Sequence, residues 1–100
     1  MSYPELRLLL APQAEEDFAD ILQYTLKTWG EAQFLAYRNL LDKALLTLLE
    51  NPRIGALRPE ISKEHRALPT GNHIIVYRVT DSAILVSRIL HARMDVRAHC

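Results

Sequence analysis

The sequence predicts a small α+β domain in which an antiparallel helical hairpin packs on one face of a largely antiparallel sheet. Two long segments carry apolar residues at helical spacing, and little more than Gly30 separates them. Two runs rich in Ile and Val then flank Asp81-Ser82, which is typical of a β-hairpin. A chain of 100 residues without low-complexity stretches fits one domain, so we expect residues 1–100 to fold as a single unit.

The chain begins with a predicted strand and a first helix. The apolar run Leu6 to Leu10 is stopped by Ala11-Pro12, and Pro12 suits the first helical turn because its missing N–H is not needed there. Gly30 is the expected end of the helix, since glycine readily adopts the left-handed conformation. An apolar stripe recurs along the helix at Ala14, Phe18, Ile21, Leu22, Thr25 and Trp29. Four carboxylates in its first turns match the helix dipole, and we expect them to be solvated: Glu15, Glu16, Asp17 and Asp20.

The second predicted helix runs to Asn51-Pro52 and is apolar on more than one side. Its main stripe consists of Phe34, Tyr37, Leu41, Ala44, Leu45 and Leu48. The short connection through Gly30 forces the two helices into an antiparallel hairpin. Further leucines widen the apolar surface; some would meet the sheet and some would be left for a partner: Leu35, Leu40, Leu46 and Leu49.

The second half of the chain predicts a three-strand antiparallel meander. A loop from Asn51 to Pro59 precedes a short strand at His65 to Leu68, and the hairpin around Asp81-Ser82 follows. With a two-residue loop, the helix-facing side of the hairpin would carry Ile75, Tyr77, Val79, Ile84, Val86, Leu90 and Arg88. The opposite face would carry Ile74, Val76, Arg78, Leu85, Ser87, Ile89 and His91. A buried arginine on the first face needs a partner, and a one-residue slip would exchange the two faces.

The composition excludes several classes of protein. Equal numbers of basic and acidic residues, 12 of each, give a formal net charge of +0, so no direct sequence-specific nucleic-acid binding is expected. Cys100 is the only cysteine, so no internal disulfide can form and a reducing compartment fits. The first apolar run contains Arg7 and is too short for a signal peptide or a membrane span. We therefore expect a cytoplasmic protein without a membrane partner.

Motifs for cofactors and metals are missing from the sequence. The chain has 3 glycines and no glycine-rich phosphate loop, no Gly-x-Ser-x-Gly elbow, and no paired histidine spacing for zinc. We predict no cofactor and no metal. Acid–base cleavage of RNA needs only a general base, a general acid and cations for the phosphate. Residues of the right types for that chemistry are present at Glu64, His65, Arg66, Arg78, Arg88 and His91.

Several short motifs follow one another in a specific order. They are Trp29-Gly30 at a helix end, Asn51-Pro52-x-x-Gly55, His73 through Tyr77-Arg78, and "RILHARMD" from Arg88 to Asp95. This string, which extends over almost the whole chain, resembles the RelE/ParE toxin superfamily of bacterial type II toxin–antitoxin systems, and most closely its ParE branch. One departure is Ala11, where the family often has a serine cap, and this should reduce helix stability.

The resemblance implies a toxin that is neutralised by a cognate ParD-like antitoxin. ParE-like members inhibit DNA gyrase, whereas RelE-like members cut messenger RNA on the ribosome with basic residues and a C-terminal tyrosine or histidine. Since no tyrosine follows Tyr77, we predict a non-enzymatic gyrase inhibitor. The first alternative is a RelE-like ribosome-dependent mRNA endoribonuclease that uses His91 with Arg66, Arg78 and Arg88. The second is a family member that still binds antitoxin but has lost toxicity.

Two binding surfaces are predicted on this basis. The target-binding residues would be Arg88, His91, Arg93, Met94 and Asp95, because the end of a rigid strand holds polar groups toward a partner. In an alternative interpretation, Arg88 and Asp95 pair with each other and fasten the C-terminus. The antitoxin-binding residues would be Leu35, Leu46 and Leu49, where the second helix exceeds what the domain can bury.

Overall fold

The structure is a computed structural model that describes residues 6–94 and 96–99. Its elements in chain order are β1 (Arg7–Leu10), α1 (Pro12–Trp29), α2 (Glu31–Glu50), β2 (Ala56–Leu57), β3 (His65–Thr70), β4 (His73–Val79), β5 (Ala83–His91) and α3 (Val96–His99). Within these residues the strands form one five-stranded sheet in the order β1-β5-β4-β3-β2. The predicted helical hairpin on an antiparallel meander is confirmed, with β2 and α3 as additional short elements.

The first strand lies at an edge of the sheet. It pairs in parallel with β5, from Arg7 opposite Ala83 to Leu10 opposite Val86, and the Ala11 N–H still donates to the Val86 carbonyl at 2.9 Å. The chain then leaves the sheet because Pro12 opens α1. Because β1 ends there, the backbone N–H and carbonyl groups of β5 beyond Val86 on this edge need hydrogen-bond partners from α1.

The helical hairpin forms at the predicted residues. Helix α1 begins at Pro12 without a side-chain cap from Ala11, and it ends before Gly30, whose φ of 90° lies in the region that favours glycine. The stripe of α1 enters the core at Ala14, Leu22 and Thr25, but Trp29 is 69% exposed. The buried stripe of α1 therefore ends one turn earlier than its sequence pattern predicts.

The β4–β5 hairpin keeps its predicted loop but contains a bulge. Val79 pairs with Ile84 around Asp81-Ser82, whereas the register shifts farther along so that Val76 pairs with Arg88 and Ser87 is the extra residue of β5. The Ser87 hydroxyl lies 3.2 Å from Nε2 of His65 on β3. Because the bulge exchanges the faces of the residues that follow it, the predicted faces of Ile89, Leu90 and His91 are wrong. Ile89 and His91 lie on the side of the helices, and Leu90 lies on the opposite side.

Two clusters of buried residues cover the two faces of the sheet. The larger one joins the helices to the sheet through Ala14, Leu45, Leu48, Ile75, Tyr77, Ile84, Val86 and Ile89. The smaller one lies on the opposite face and consists of Val76, Leu90 and Val96, with Ile61 and Ile74 packed against it. Burial of Val96 docks α3 against the sheet and so holds the segment after β5 in place.

The Asn51-Pro52-x-x-Gly55 motif closes the loop after α2 onto the core. Gly55 N–H donates to Oη of Tyr77 at 2.8 Å, and the Tyr77 hydroxyl donates to the Pro52 carbonyl at 2.8 Å. A Cβ at position 55 would lie 2.7 Å from the same hydroxyl oxygen, so this close approach requires glycine. The motif and the buried tyrosine thus form one structural unit.

Candidate functional site

A continuous groove runs between α1 and the ends of β4 and β5. Its larger part, of about 410 Å³, is called the aromatic cleft and includes Asp20, Tyr24, Trp29, Tyr37, His73 and His91 in its walls. Its smaller part, of about 200 Å³, is called the strand-end cleft and includes Asp17, Asp20, Arg88, Ile89, His91 and Met94. The two parts share the walls formed by Asp20, Ile21, His73 and His91.

Two histidines on neighbouring strands form the centre of the groove. His73 pairs with His91 across β4 and β5, and their rings meet edge to face with centroids 5.4 Å apart. From α2, the Tyr37 hydroxyl is hydrogen-bonded to Nδ1 of His73 and accepts the N–H of Asn72 at 3.0 Å. Burial, and to a lesser degree the His91 ring, lowers the pKa of His73, which favours the neutral imidazole.

Arg88 forms a bidentate ion pair with Asp17 of α1 at the other end of the groove. Its Nε and Nη2 donate to the carboxylate at 2.8 and 3.0 Å, and the Ile89 N–H donates to the same carboxylate at 3.0 Å. The Arg88 Nη1 also donates to the His99 carbonyl at 3.0 Å. Arg88 therefore has the partner that a buried arginine was predicted to need, and this partner is Asp17. The expectation that Asp17 is solvated is wrong. The physical reason is that β1 pairs with β5 only as far as Val86. The Ile89 N–H on the same edge therefore needs another acceptor, and the Asp17 carboxylate provides it.

The residues after β5 form a turn whose backbone N–H groups are hydrogen-bonded. Ala92 N–H donates to the Asn72 carbonyl at 2.9 Å, and Met94 N–H donates to the His91 carbonyl at 2.9 Å. The Arg93 N–H donates to Nδ1 of His91 at 3.2 Å. His91, Arg93 and Met94 are all exposed on this turn. Asp95, the last member of the predicted target-binding set, lies outside the described residues.

The structure separates His91 from two arginines of the ribonuclease alternative, Arg66 and Arg78. These two arginines instead lie with Glu64 and His65 at the other end of β3 and β4. Arg66 on β3 donates to the Gly55 carbonyl at 2.8 Å, and Arg78 lies 3.8 Å from the Glu64 carboxylate. His91 is opposite His73, five residues along β4 from Arg78. At 3.4 Å per residue this places His91 about 17 Å from Arg78 along the sheet. Arg88 binds Asp17 and is the one arginine of this set that lines the groove with His91.

The predicted antitoxin-binding leucines divide into two groups. Leu35 and Leu46 are 47% and 58% exposed, and their spacing of three helical turns places them on the same side of α2. Leu49 is half-buried and packs against the main core, because it lies one turn beyond the buried Leu45. The structure therefore leaves Leu35 and Leu46 accessible and assigns Leu49 to packing.

The sequence pattern did not reveal the aromatic cleft. Its signal was present, since Tyr24 and Tyr37 lie six residues before and seven residues after Gly30. An antiparallel hairpin places such positions on neighbouring turns of its two helices. The helical spacing instead places Trp29 in the core stripe of α1.

Neither a metal site nor a membrane helix is found in the described part of the chain. Among residues 6–94 and 96–99, no three His, Cys, Asp or Glu side chains are grouped so that they could hold a metal ion. In the same residues no helix has the length and hydropathy needed to cross a membrane.

Comparison with known proteins identifies the family. Residues 8–96 match the family model described as the ParE toxin of type II toxin–antitoxin system, parDE. The chain belongs to the ParE toxin family. It is 41% identical over 91 residues to Toxin ParE1 of Mycobacterium tuberculosis, and the matched segment is 90% of this chain and 93% of that protein. Toxin ParE1 of Caulobacter vibrioides is 30% identical over 90 residues, again 90% of this chain and 93% of the relative. The resemblance to the ParE branch is thus confirmed.

Solved structures share the ParE-family fold at lower sequence identity. A chain of the chromosomal ParDE TA system from P. aeruginosa superposes with a TM-score of 0.74 at 20% identity, covering 87% of this chain and 96% of that one. A chain of the YoeB dimer from Staphylococcus aureus superposes with a TM-score of 0.62 at 16% identity, covering 87% and 97%. Both likenesses support the same α+β architecture.

Proposed function

We propose that this ParE-family toxin inhibits DNA gyrase by binding it through the groove and the turn after β5, and that a cognate ParD-like antitoxin neutralises it. The observation that carries the first part is the exposed, backbone-held turn of His91, Arg93 and Met94 beside the strand-end cleft. Arginine and methionine are enriched at protein interfaces, and a fixed turn loses little entropy on binding. A gyrase inhibitor acts in the cytoplasm.

Arg88 has a supporting role in this proposal. Its guanidinium is already bound to Asp17 and to the His99 carbonyl, so it holds α1, β5 and α3 in one arrangement. That arrangement fixes the direction in which His91, Arg93 and Met94 face a partner. Asp95 completes the proposed target surface by sequence position.

A binding mechanism is favoured over ribonuclease chemistry at His91 by the distance of His91 from Arg66 and Arg78. A general acid or base must lie within hydrogen-bonding reach of the reacting group, and the cations must meet the same phosphate. Arg66 and Arg78 are engaged by Gly55 and Glu64, away from His91. We therefore propose that the chain is not an enzyme.

The proposed antitoxin surface rests on Leu35 and Leu46 of α2. Exposed leucines on one side of a helix are a site for the apolar face of a partner segment. We propose that a C-terminal segment of the antitoxin lies across the helical hairpin and covers both. The structural neighbour named for a ParDE system agrees with a partner of this class.

Assays of the purified chain with gyrase and with translating ribosomes test the proposal. We expect inhibition of DNA supercoiling and intact ribosome-bound messenger. Replacing Arg93 with Ala should weaken binding by about 2 kcal/mol, as for a central interface residue, without changing the fold. Arg38→Ala is the matched control, because Arg38 is an exposed arginine on α2 with a long 3.9 Å contact to Asp42.

Three outcomes would contradict the proposal. Codon-dependent messenger cleavage with supercoiling untouched would establish the ribonuclease alternative. Harmless expression without antitoxin would establish loss of toxicity. Full activity of a folded Arg93→Ala variant would remove the turn from the target surface.

A further inference from the structure

We propose that the aromatic cleft receives an arginine side chain of the toxin's target protein. The identity of that protein rests on the proposed function, but the chemistry of the cleft does not. The cleft lies between the last turns of α1, the first turns of α2 and the β3–β4 turn, and it opens to solvent beside the strand-end cleft.

The charge of the cleft selects a cation. Among the described residues in its walls, Asp20 is the one side chain with a formal charge at neutral pH, when the histidines are counted as neutral. Asp20 is exposed, whereas the neighbouring Asp17 has Arg88 as its partner. A carboxylate at the rim of an apolar cleft attracts a positive group and repels an acidic one.

The aromatic side chains of the cleft select a cation that stacks. Tyr24 and Trp29 are 65% and 69% exposed and line the same cleft, and exposed apolar surface that is grouped in this way marks interaction sites. Tyr37 forms the inner wall and is fixed by its bonds to His73 and Asn72. Aromatic faces bind cations, with Trp the strongest, and a planar guanidinium also stacks on them while it donates to a carboxylate.

The size of the cleft admits a side chain or a short extended segment. Its volume is about 410 Å³. One turn of an α-helix, at a diameter of about 10 Å and a pitch of 5.4 Å, fills roughly 420 Å³. The cleft is therefore about as large as one helical turn, and an arginine side chain on a partner surface fits into it.

The position of the cleft points to the target as the source of the arginine. The cleft shares His91 and Asp20 with the strand-end cleft, where Arg93 and Met94 form the proposed target surface. One partner surface can therefore cover both parts of the groove. Of the two leucines that we assign to the antitoxin, Leu46 lies toward the C-terminal end of α2. Leu35 lies in the same N-terminal turns as Gln33 and Tyr37 of the cleft, but its offset of two residues from each places it about 160° away around the helix.

The single tryptophan of the chain, Trp29, makes the cleft directly observable. The peptide acetyl-Gly-Arg-Gly-amide is titrated into the purified toxin while tryptophan fluorescence is recorded. The peptide with citrulline in place of arginine is the control, because it keeps the shape and removes the charge. We expect the arginine peptide to change the emission and the citrulline peptide to bind about tenfold more weakly or not at all, since one charge-assisted contact has this effect.

Two variants locate the binding. Asp20→Asn should weaken binding of the arginine peptide about tenfold, and Tyr24→Leu about fivefold, because each removes one contact of the cation. Asp81→Asn is the matched control, since Asp81 is exposed on the β4–β5 loop at the opposite end of the sheet. Circular dichroism establishes that each variant is folded. Equal binding of the arginine and citrulline peptides, or unchanged affinity in folded Asp20→Asn, would overturn the proposal.

Growth inhibition in cells separates this inference from the identity of the target. We expect Asp20→Asn to reduce toxicity and to leave antitoxin binding unchanged, whichever protein the toxin inhibits. Normal toxicity of Asp20→Asn, or a loss of antitoxin binding with toxicity retained, would refute the target as the source of the arginine. Failure of the parent toxin to inhibit gyrase would instead refute the proposed function, and the peptide titration and the growth assay would still decide the role of the cleft.

Discussion

Arg88→Ala should destabilise the toxin strongly, although Arg88 belongs to the sequence motif that suggests target binding. The arginine makes two bonds to the Asp17 carboxylate and one to the His99 carbonyl, and the paired side chains are 20% and 15% exposed. Removal of the guanidinium leaves a mostly buried carboxylate that still accepts the Ile89 N–H but has lost its charged partner. It also releases the carbonyl end of α3.

The magnitude follows from this degree of burial. Breaking a fully buried ion pair costs about 3–5 kcal/mol, whereas an exposed pair contributes about 0–1 kcal/mol. With four-fifths of both side chains removed from water, we expect a loss of about 3 kcal/mol for Arg88→Ala. In Asp17→Asn the side-chain oxygen can still accept the Ile89 N–H, so we expect a loss of about 1–2 kcal/mol. A domain of this size has about 5–15 kcal/mol in total, so the first change is a large fraction of it.

Urea unfolding followed by circular dichroism measures these free energies. The double variant Asp17→Ala/Arg88→Ala should show a coupling energy of about 1–3 kcal/mol between the two residues. Arg93→Ala is the control, because Arg93 is exposed on the turn and should change stability by less than about 0.5 kcal/mol. If Arg88→Ala were as stable as the parent, or if the two changes were additive, the ion pair would not hold α1, β5 and α3 together.

Three further changes test other parts of the structure. Tyr77→Phe should lower stability by about 2 kcal/mol in urea unfolding, because a buried hydroxyl that bonds the loop after α2 is lost; parental stability would contradict that role. Leu46→Lys should leave the thermal melt unchanged and weaken antitoxin binding, whereas Leu49→Lys should lower the melting temperature; equal melting behaviour would refute their different burial. Burial lowers the pKa of His65 and of His73, and Arg78 and His91 respectively add to this effect. The unfolded chain therefore binds protons at higher pH than the folded one, so the stability from this source should be complete above about pH 6.5 and fall as the pH decreases from there. A pH series of melting temperatures measures this slope, which His73→Asn should reduce; an unchanged slope would exclude His73 as a contributor.

The predicted elements were confirmed where local chemistry decides the structure. Pro12 begins α1, Gly30 separates the helices, and Asn51 follows the end of α2. The Asp81-Ser82 loop was also confirmed, because two β-branched runs around a short polar pair are typical of a β-hairpin. Membership of the ParE family followed from the order of the motifs and needed no contact between distant residues.

The errors concern residues whose environment comes from distant parts of the chain. Strict alternation placed Leu90 on the helix-facing side, but the Ser87 bulge places Ile89 there. The position of a bulge depends on neighbouring strands, here including His65 on β3, and alternation along one strand carries no signal of it. Similarly, the partial burial of Leu49 depends on how closely the sheet approaches α2, and its helical position alone does not determine this.

The sequence by itself determined that this protein is a helical hairpin on a meander and a member of the ParE family, because helix ends, turns and motif order are local properties of the chain. Only the tertiary structure decided that Asp17 binds Arg88 across a separation of 71 residues, and that Tyr24, Trp29 and Tyr37 meet His73 and His91 in one cleft. Such contacts depend on how α1 crosses the edge of β5, and that packing is set by the whole core at once.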